Sequence, residues 1–450
     1  MLDGQTFISI HVFAIVVHVV LLTVAYLIYV ERKMASYIQD RVGPNRVGFD
    51  FGLPALKFLR GFLGLGQPLA DGLKFLLKED YAPDGVDKKL FTLAPVAIII
   101  PALIGFAIIP WGGSIVIPDF SVPILGTISG GEIVVAGLSA NVGIIYLLGV
   151  ASLGVYGVTL GGWASNNKYS FLGGLRATAQ MISYEIPLGL AILAALLLVG
   201  SFIPTDIIDH QREHGWLIFS QPIAAVIFFI AILAEANRAP FDIAEAEQEL
   251  VGGYHTEYSS MRFALFFLAE YAHMITSSAF FALIFLGGYE PLPFLSLLGE
   301  TPVIQAGDGI LAILGALGLV ALKFGVFFGK ALLLICFMML IRWTIPRLRY
   351  DQIMTMAWQA IIPLALAVVV VTSVMVYLGL DTLGWMILAN AGLFLIVMGI
   401  QSVLPRTDTN RRIPMYGSRF NPMPGERVST RPTDPTALED RPLEGTLPTA

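Results

Sequence analysis

The sequence predicts an all-α, polytopic membrane protein, and three observations predict it. Mean hydropathy is +0.76, with 56% apolar and 13% charged residues, far from the soluble range. Apolar runs of about 20 residues, the length a bilayer asks of a helix, recur along the chain. Few windows alternate with period two, so the runs read as helices rather than barrel strands.

Taken in order, the expected spans are 7–30, 91–111, 133–160, 177–203, 216–234, 263–287, 309–341, 357–380 and 384–404, about nine in all. The first has no basic flank before it and no small-residue cleavage site after it, so it is expected to stay as a helix. The seventh is long, which implies tilt or an added interfacial segment. After helix 1, GQPLADGLKFLLKEDYAP (66–83) sets Leu69, Leu73, Leu76 and Leu77 on one face and Asp71, Lys74 and Lys78 on others. That pattern is an amphipathic surface helix. Residues 1–404 form the membrane-embedded domain, and the Pro- and Arg-rich stretch 405–450 lacks apolar periodicity and reads as a disordered tail.

Charge fixes an orientation. Of 27 Lys and Arg residues, 24 fall in loops after odd-numbered spans or in the tail. The positive-inside rule therefore puts the N-terminus outside and the C-terminus and the elaborate loops in the cytoplasm. A net charge of −6 gives no hint of nucleic acid. One cysteine, Cys336, excludes a disulfide framework and a thiolate cluster. The six histidines show no metal-ligand spacing. His11 and His18 share a helical face and could in principle hold haem, but polar contact with neighbouring helices is the favoured reading.

Four polar segments carry sequence that lipid burial does not explain: 29–48, 162–189, 235–259 and 342–352. The third, EANRAPFDIAEAEQELVGGYHTEYS, gathers Glu235, Asp242, Glu245, Glu247, Glu249 and Glu257 beside Arg238. On a helix Asp242, Glu245 and Glu249 share a face, and crowding raises some of their pKa values, so protons could be held and released there. Charges also lie within spans, where each costs about 2.5–3.5 kcal/mol on insertion scales. Glu132 is expected to begin helix 3, Glu185 lies in helix 4 beside Pro187, and Glu270 in helix 6. Lys323 and Lys330 share one face of helix 7. A proton relay and a set of interhelical ion pairs are compatible readings. The residues alone reach a nine-helix membrane protein with proton-handling cytoplasmic loops, and a secondary transporter is the competing class. No paired repeat of the transporter kind is found.

The motifs resemble one family. ERK-x5-Q-x-R-x-GPN, QPxADxxK, KED, GWxSNxKY-x2-LGxxRxxAQxxSYE, ExNRxPFDxxExExELVxG and PRxRxDQ occur in that order. They resemble the H subunits of bacterial NADH:quinone oxidoreductase, respiratory complex I, and their counterpart, mitochondrial NADH dehydrogenase subunit 1. The likeness covers about residues 7–380. Subunits of membrane-bound hydrogenases and related dehydrogenases share this core, and the full NRxPFD loop favours complex I.

The resemblance implies a multi-pass subunit of the bacterial plasma (inner) membrane. It implies no redox centre and no metal in this chain, with quinone (ubiquinone or menaquinone) as substrate. FMN and iron–sulfur clusters would sit in partner subunits. The partners implied are the peripheral quinone-module subunits and neighbouring small membrane subunits of complex I. It further implies a quinone chamber lined by Glu31, Arg32, Gln39, Arg41, Arg238, Phe241, Arg342, Arg347 and Arg349. Proton transfer and coupling would fall to Glu185, Glu235, Glu270, Asp242, Glu245, Glu247 and Glu249, with Lys323, Lys330 and Glu132 as further relay candidates. Two departures stand out. The segment 49–66 is longer than the family's linker and reads as an extended amphipathic helix at the chamber mouth, and the tail after 405 lies outside the pattern.

Overall fold

The computed structural model describes residues 3–50, 57–58, 60–61, 63–122, 126–243, 250–294, 297–298, 301–305 and 308–403. Among them are eight helices long and apolar enough to cross a membrane, and one shorter apolar helix, Pro222–Glu235. The expected disordered tail lies outside the described residues, as do 51–56, 59 and 62 of the long 49–66 segment; its described residues from 57 to 66 form short turns rather than the expected extended amphipathic helix.

Helix α1 (Gly4–Ile38) continues well past its apolar run. Glu31, Arg32 and Lys33 therefore sit on the helix itself rather than closing it. The amphipathic α2 is found at Gln67–Leu77, its leucines turned outward. Helix α3 (Lys88–Ile104) starts at Asp87, whose carboxylate accepts from the Lys89 and Leu90 amides at 3.0 and 3.2 Å. Such a cap satisfies donors that a helix start leaves orphaned.

Between α3 and α4 (Gly143–Ala164) the expectation needs correcting. The third span does not begin at Glu132. Residues 114–134 instead make two antiparallel pairs: β1 (Ser114–Ile117) with β4 (Gly131–Val134), and β2 (Phe120–Val122) with β3 (Gly126–Ile128). Glu132 pairs across from Val116 and is exposed. The physical reason is local. Gly130 passes so close to the chain that an added Cβ would lie 2.3 Å from the Ile117 carbonyl oxygen. That approach closes a hairpin that a helix could not make.

Helix α5 (Lys168–Val199) packs on α4 through glycine: a Cβ on Gly162 would meet the Gly174 Cα at 3.1 Å. Small residues let membrane helices approach backbone to backbone. After α6 (Pro204–His214), the fifth expected span is broken into α7 (Leu217–Ser220) and α8 (Pro222–Glu235). Pro222 suits a helix start, having no amide hydrogen to orphan. The Ser220 carbonyl freed by the break accepts from Asn390 Nδ2 at 2.9 Å, and Gln221 Nε2 donates to Thr372 Oγ1 at 2.8 Å. Fourteen residues at about 1.5 Å each make α8 shorter than a hydrocarbon core.

Helix α9 (Ser260–Phe285) is the centre of the bundle, with 83% of its most apolar window buried. It packs on α1, α3, α8 and α10 (Ile310–Thr344); α11 (Tyr350–Met356) continues through a π turn into α12 (Ile362–Tyr377), which packs on α5, and α13 (Leu383–Val403) follows. The C-terminal ends of α1, α8 and α10 meet α2 and the start of α9 at one end. Ser260 Oγ donating to the Phe75 carbonyl at 2.8 Å, and the Leu348 amide to the Pro240 carbonyl at 3.1 Å, tie that end together.

Candidate functional site

Two cavities lie against the centre of this bundle. The wide one, about 1250 Å³, opens among α1, α2, the start of α9 and the C-terminal end of α10. Its apolar wall includes Val24, Ile28, Phe75, Phe263 and Phe267, and its polar wall holds Glu31, Arg32, Arg41, Asp71, Arg238, Arg342 and Arg347. Five guanidinium groups against two carboxylates give this wall a cationic balance.

Glu31 is the hub. Buried on α1, it accepts hydrogen bonds from Tyr271 Oη and Arg342 Nη1, and its Oε2 lies 3.7 Å from Arg238 Nη1. The Arg238 guanidinium stacks on the Tyr271 ring, 4.2 Å from its centroid. A buried carboxylate needs such partners, since an uncompensated charge at this depth would be costly. A second pair, Arg347 Nη2 to Asp242 Oδ2 at 2.8 Å, pins the 240–243 segment; Asp242 is fully enclosed. A third, Arg32 Nη1 to Asp71 Oδ2 at 2.8 Å, joins α1 to α2 at the rim, where Gln67 Nε2 also donates to Asp71 at 2.9 Å.

Three expected chamber residues stand back from this wall. Gln39 caps the end of α1, exposed, and accepts from Arg41 Nε at 2.9 Å. Phe241 is buried against Tyr184, with ring centroids 5.4 Å apart. Arg349 forms the N-cap of α11. Glu245, Glu247 and Glu249 lie outside the described residues. Asp242 sits in an irregular turn rather than on a helix, with the Ile243 amide donating to the Phe241 carbonyl at 3.2 Å.

The small cavity, about 50 Å³, brings together Glu185 of α5, Glu235 of α8, and Glu270 and His273 of α9. At about 10–15 Å³ for each water, it has room for about three to five. Glu185 accepts from Ser152 Oγ, Glu270 from Tyr254 Oη at 2.8 Å, and Glu235 Oε1 lies 3.5 Å from His273 Nε2. His273 is the residue that reading the sequence missed. It follows Glu270 by three positions, which on a helix is the same face, and that spacing was the available signal.

The cavities are back to back. Neighbouring residues Glu270 and Tyr271 line the small and the wide one respectively. At the end of α8 and on the turn after it, Glu235 and Asn237 face the small cavity and Arg238 the wide one. Tyr258, just before α9, stacks on Phe91 at 4.0 Å, and burial pushes its hydroxyl above the ordinary phenol range.

The remaining relay candidates line neither cavity. Lys330 donates to the Leu286 carbonyl at 2.5 Å, to the Gly288 carbonyl at 3.0 Å and to the Glu290 carbonyl, which places a cation at the C-terminal end of α9. That is where the helix dipole favours one. Lys323, buried, lies 5.1 Å above the Tyr289 ring. Near them on α6, burial raises Asp209 and, with His214 stacked beside it, lowers His210. Among the described residues no group of three His, Cys, Asp or Glu could hold a metal ion.

Comparison with known proteins decides the family. A family model described as NADH dehydrogenase matches residues 11–373. The chain is 43% identical to the NADH-quinone oxidoreductase H subunit 1 of Geobacter sulfurreducens over 361 residues, 80% of this chain and 92% of the relative. It is 44% identical to the corresponding H subunit of Leptospira biflexa over 358 residues, 79% and 91% of the two chains. It is also 41% identical to the H subunit 1 of Cytophaga hutchinsonii, covering 78% and 92%. The chain belongs to the family of NADH-quinone oxidoreductase H subunits. The chain is thus a membrane subunit of an oxidoreductase complex. The family match stops at 373, before α13.

Proposed function

We propose that the wide cavity is the membrane-side part of the quinone chamber of complex I, and that the small cavity begins the proton route coupled to it. The observation that carries this reading is the back-to-back arrangement across 235–238 and 270–273. The chamber end would face the cytoplasm in a bacterial plasma membrane, as the Lys and Arg bias asks.

The apolar wall between α1 and α2 suits an isoprenoid tail, and about 1250 Å³ is ample for a headgroup with part of that tail. Reduction of a quinone takes two electrons and two protons, so negative charge develops on its oxygens. The electrons would come from redox centres held by partner subunits. Arg238 and Arg342 stand where that charge could be stabilised, and doing so would draw them from Glu31. Glu31 would then be left with Tyr271 and would gain affinity for a proton. Glu270 and Tyr271 are adjacent on one helix, so a shift of that helix turn as Tyr271 adjusts to Glu31 would carry the change to the small cavity. There Glu185, Glu235, Glu270 and His273 can pass a proton through a few waters.

The test is NADH-driven quinone reduction in membranes from cells with the gene deleted and then restored, followed beside NADH oxidation by an artificial acceptor. Quinone activity should vanish on deletion and return on restoration, while acceptor-linked activity persists. Survival of both activities after deletion would refute the reading.

A further inference from the structure

Gln180 lines neither cavity, yet its side chain controls residues that line both. It sits on α5, wholly buried, five positions before Glu185. Its Nε2 donates to the Ala234 carbonyl at 2.7 Å and to the Phe241 carbonyl at 2.7 Å, with Asn237 Oδ1 at 3.3 Å. A carboxamide nitrogen has two hydrogens, and each here has a main-chain oxygen. The orientation of the amide is thereby fixed, since its oxygen could not donate to either carbonyl.

The amide oxygen, Oε1, is buried with no hydrogen-bond partner among the described residues. An unsatisfied buried acceptor costs free energy, and the two N–H bonds to main-chain oxygens offset that cost. What the glutamine supplies is the pair of N–H bonds, and their acceptors bracket one turn. That turn carries Glu235 into the small cavity and Arg238 into the wide one.

We propose that Gln180 is a positioning residue that sets the register between the two cavities. By tying Ala234 and Phe241 to α5, it holds Arg238 against Glu31 and Tyr271 while holding Glu235 beside His273. A glutamate in its place would, when ionised, offer no donor to the two carbonyls, and when protonated only one. This proposal rests on the reading of the cavities as quinone chamber and proton site.

The test uses the whole complex in native membranes, carrying Gln180→Leu or the near-isosteric Gln180→Glu. The readouts are the amount of assembled complex on native gels, KM and kcat for a short-chain quinone, and protons translocated per NADH. We expect both variants to assemble, with KM raised about 10-fold or more, the scale of a misplaced binding group, and a lowered proton ratio. A wild-type KM and proton ratio would overturn the proposal even if less complex accumulates, because a packing role changes the amount alone. Failure of both variants to assemble would also overturn it, making Gln180 a folding residue. If wild-type quinone activity proves independent of this chain, the underlying reading fails instead, and the two failures are distinguished.

Discussion

At the scale of single residues, the account turns on Glu31 and its partners. Because Tyr271, Arg238 and Arg342 share one carboxylate, changes to them should not add. We expect Glu31→Gln and Arg342→Met together to be non-additive in thermal stability, with an interaction energy of about 0.5–3 kcal/mol. A double-mutant cycle on the purified complex measures it, and simple additivity would show the groups uncoupled. None of this pairing was legible in the sequence, where Glu31 and Arg342 are 311 positions apart. Both stood out as charged residues next to apolar runs, but proximity across such a separation is a product of folding. Arg238→Ala should lower quinone-linked turnover, and so should Glu185→Ala, with assembly preserved in both. Loss of the complex from native gels would instead make either residue structural.

His210 offers a titration at the opposite end of the bundle. Burial, and then the neighbouring His214, lower its pKa from the ordinary 6.5. Below pH 6.5 the unfolded chain therefore takes up a proton that the folded chain resists, and stability falls as pH falls. Above 6.5 both states are neutral and this group contributes no slope. His210→Gln should flatten the acid side of a melting-temperature profile below about pH 6.5. An unchanged profile would contradict the burial argument.

At the scale of elements, the long apolar runs were legible because a bilayer asks for about 20 apolar residues and sequence length shows that directly. The amphipathic α2 was legible from leucine spacing for a similar reason. Two elements were not. The strand carrying Glu132 is only four residues long and runs towards an apolar helix, so its pattern merges with the helix that follows. The break at Ser220–Pro222 depends on Asn390, which lies 170 positions away and supplies the hydrogen bond that the broken helix lacks. Asn390→Leu should leave the Ser220 carbonyl unsatisfied and cost about 1–3 kcal/mol. Thermal inactivation of the assembled complex would register it, whereas a neutral result would mean that the break satisfies itself. At the α4–α5 crossing, Gly162→Leu should prevent assembly, because the new side chain would meet the backbone of Ser170 and Gly174.

At the scale of the whole molecule, one central helix separates a wide cationic cavity from a small carboxylate-lined one, and one short turn feeds residues to both. The sequence supplied most of the participants: Glu185, Glu235, Glu270, Arg238 and the basic residues of 342–347. It could not show that they divide between two spaces, nor that His273 joins them, since neither fact has a signature along a single segment. The measurement that tests the central claim most directly is photoaffinity labelling of the native complex with an azido-quinone, followed by peptide mapping. The account predicts label, competed by unmodified quinone, on the wide-cavity faces of α1 and α9 around Val24, Ile28, Phe263 and Phe267. Competed label confined to other surfaces of the chain, or to other subunits alone, would contradict it.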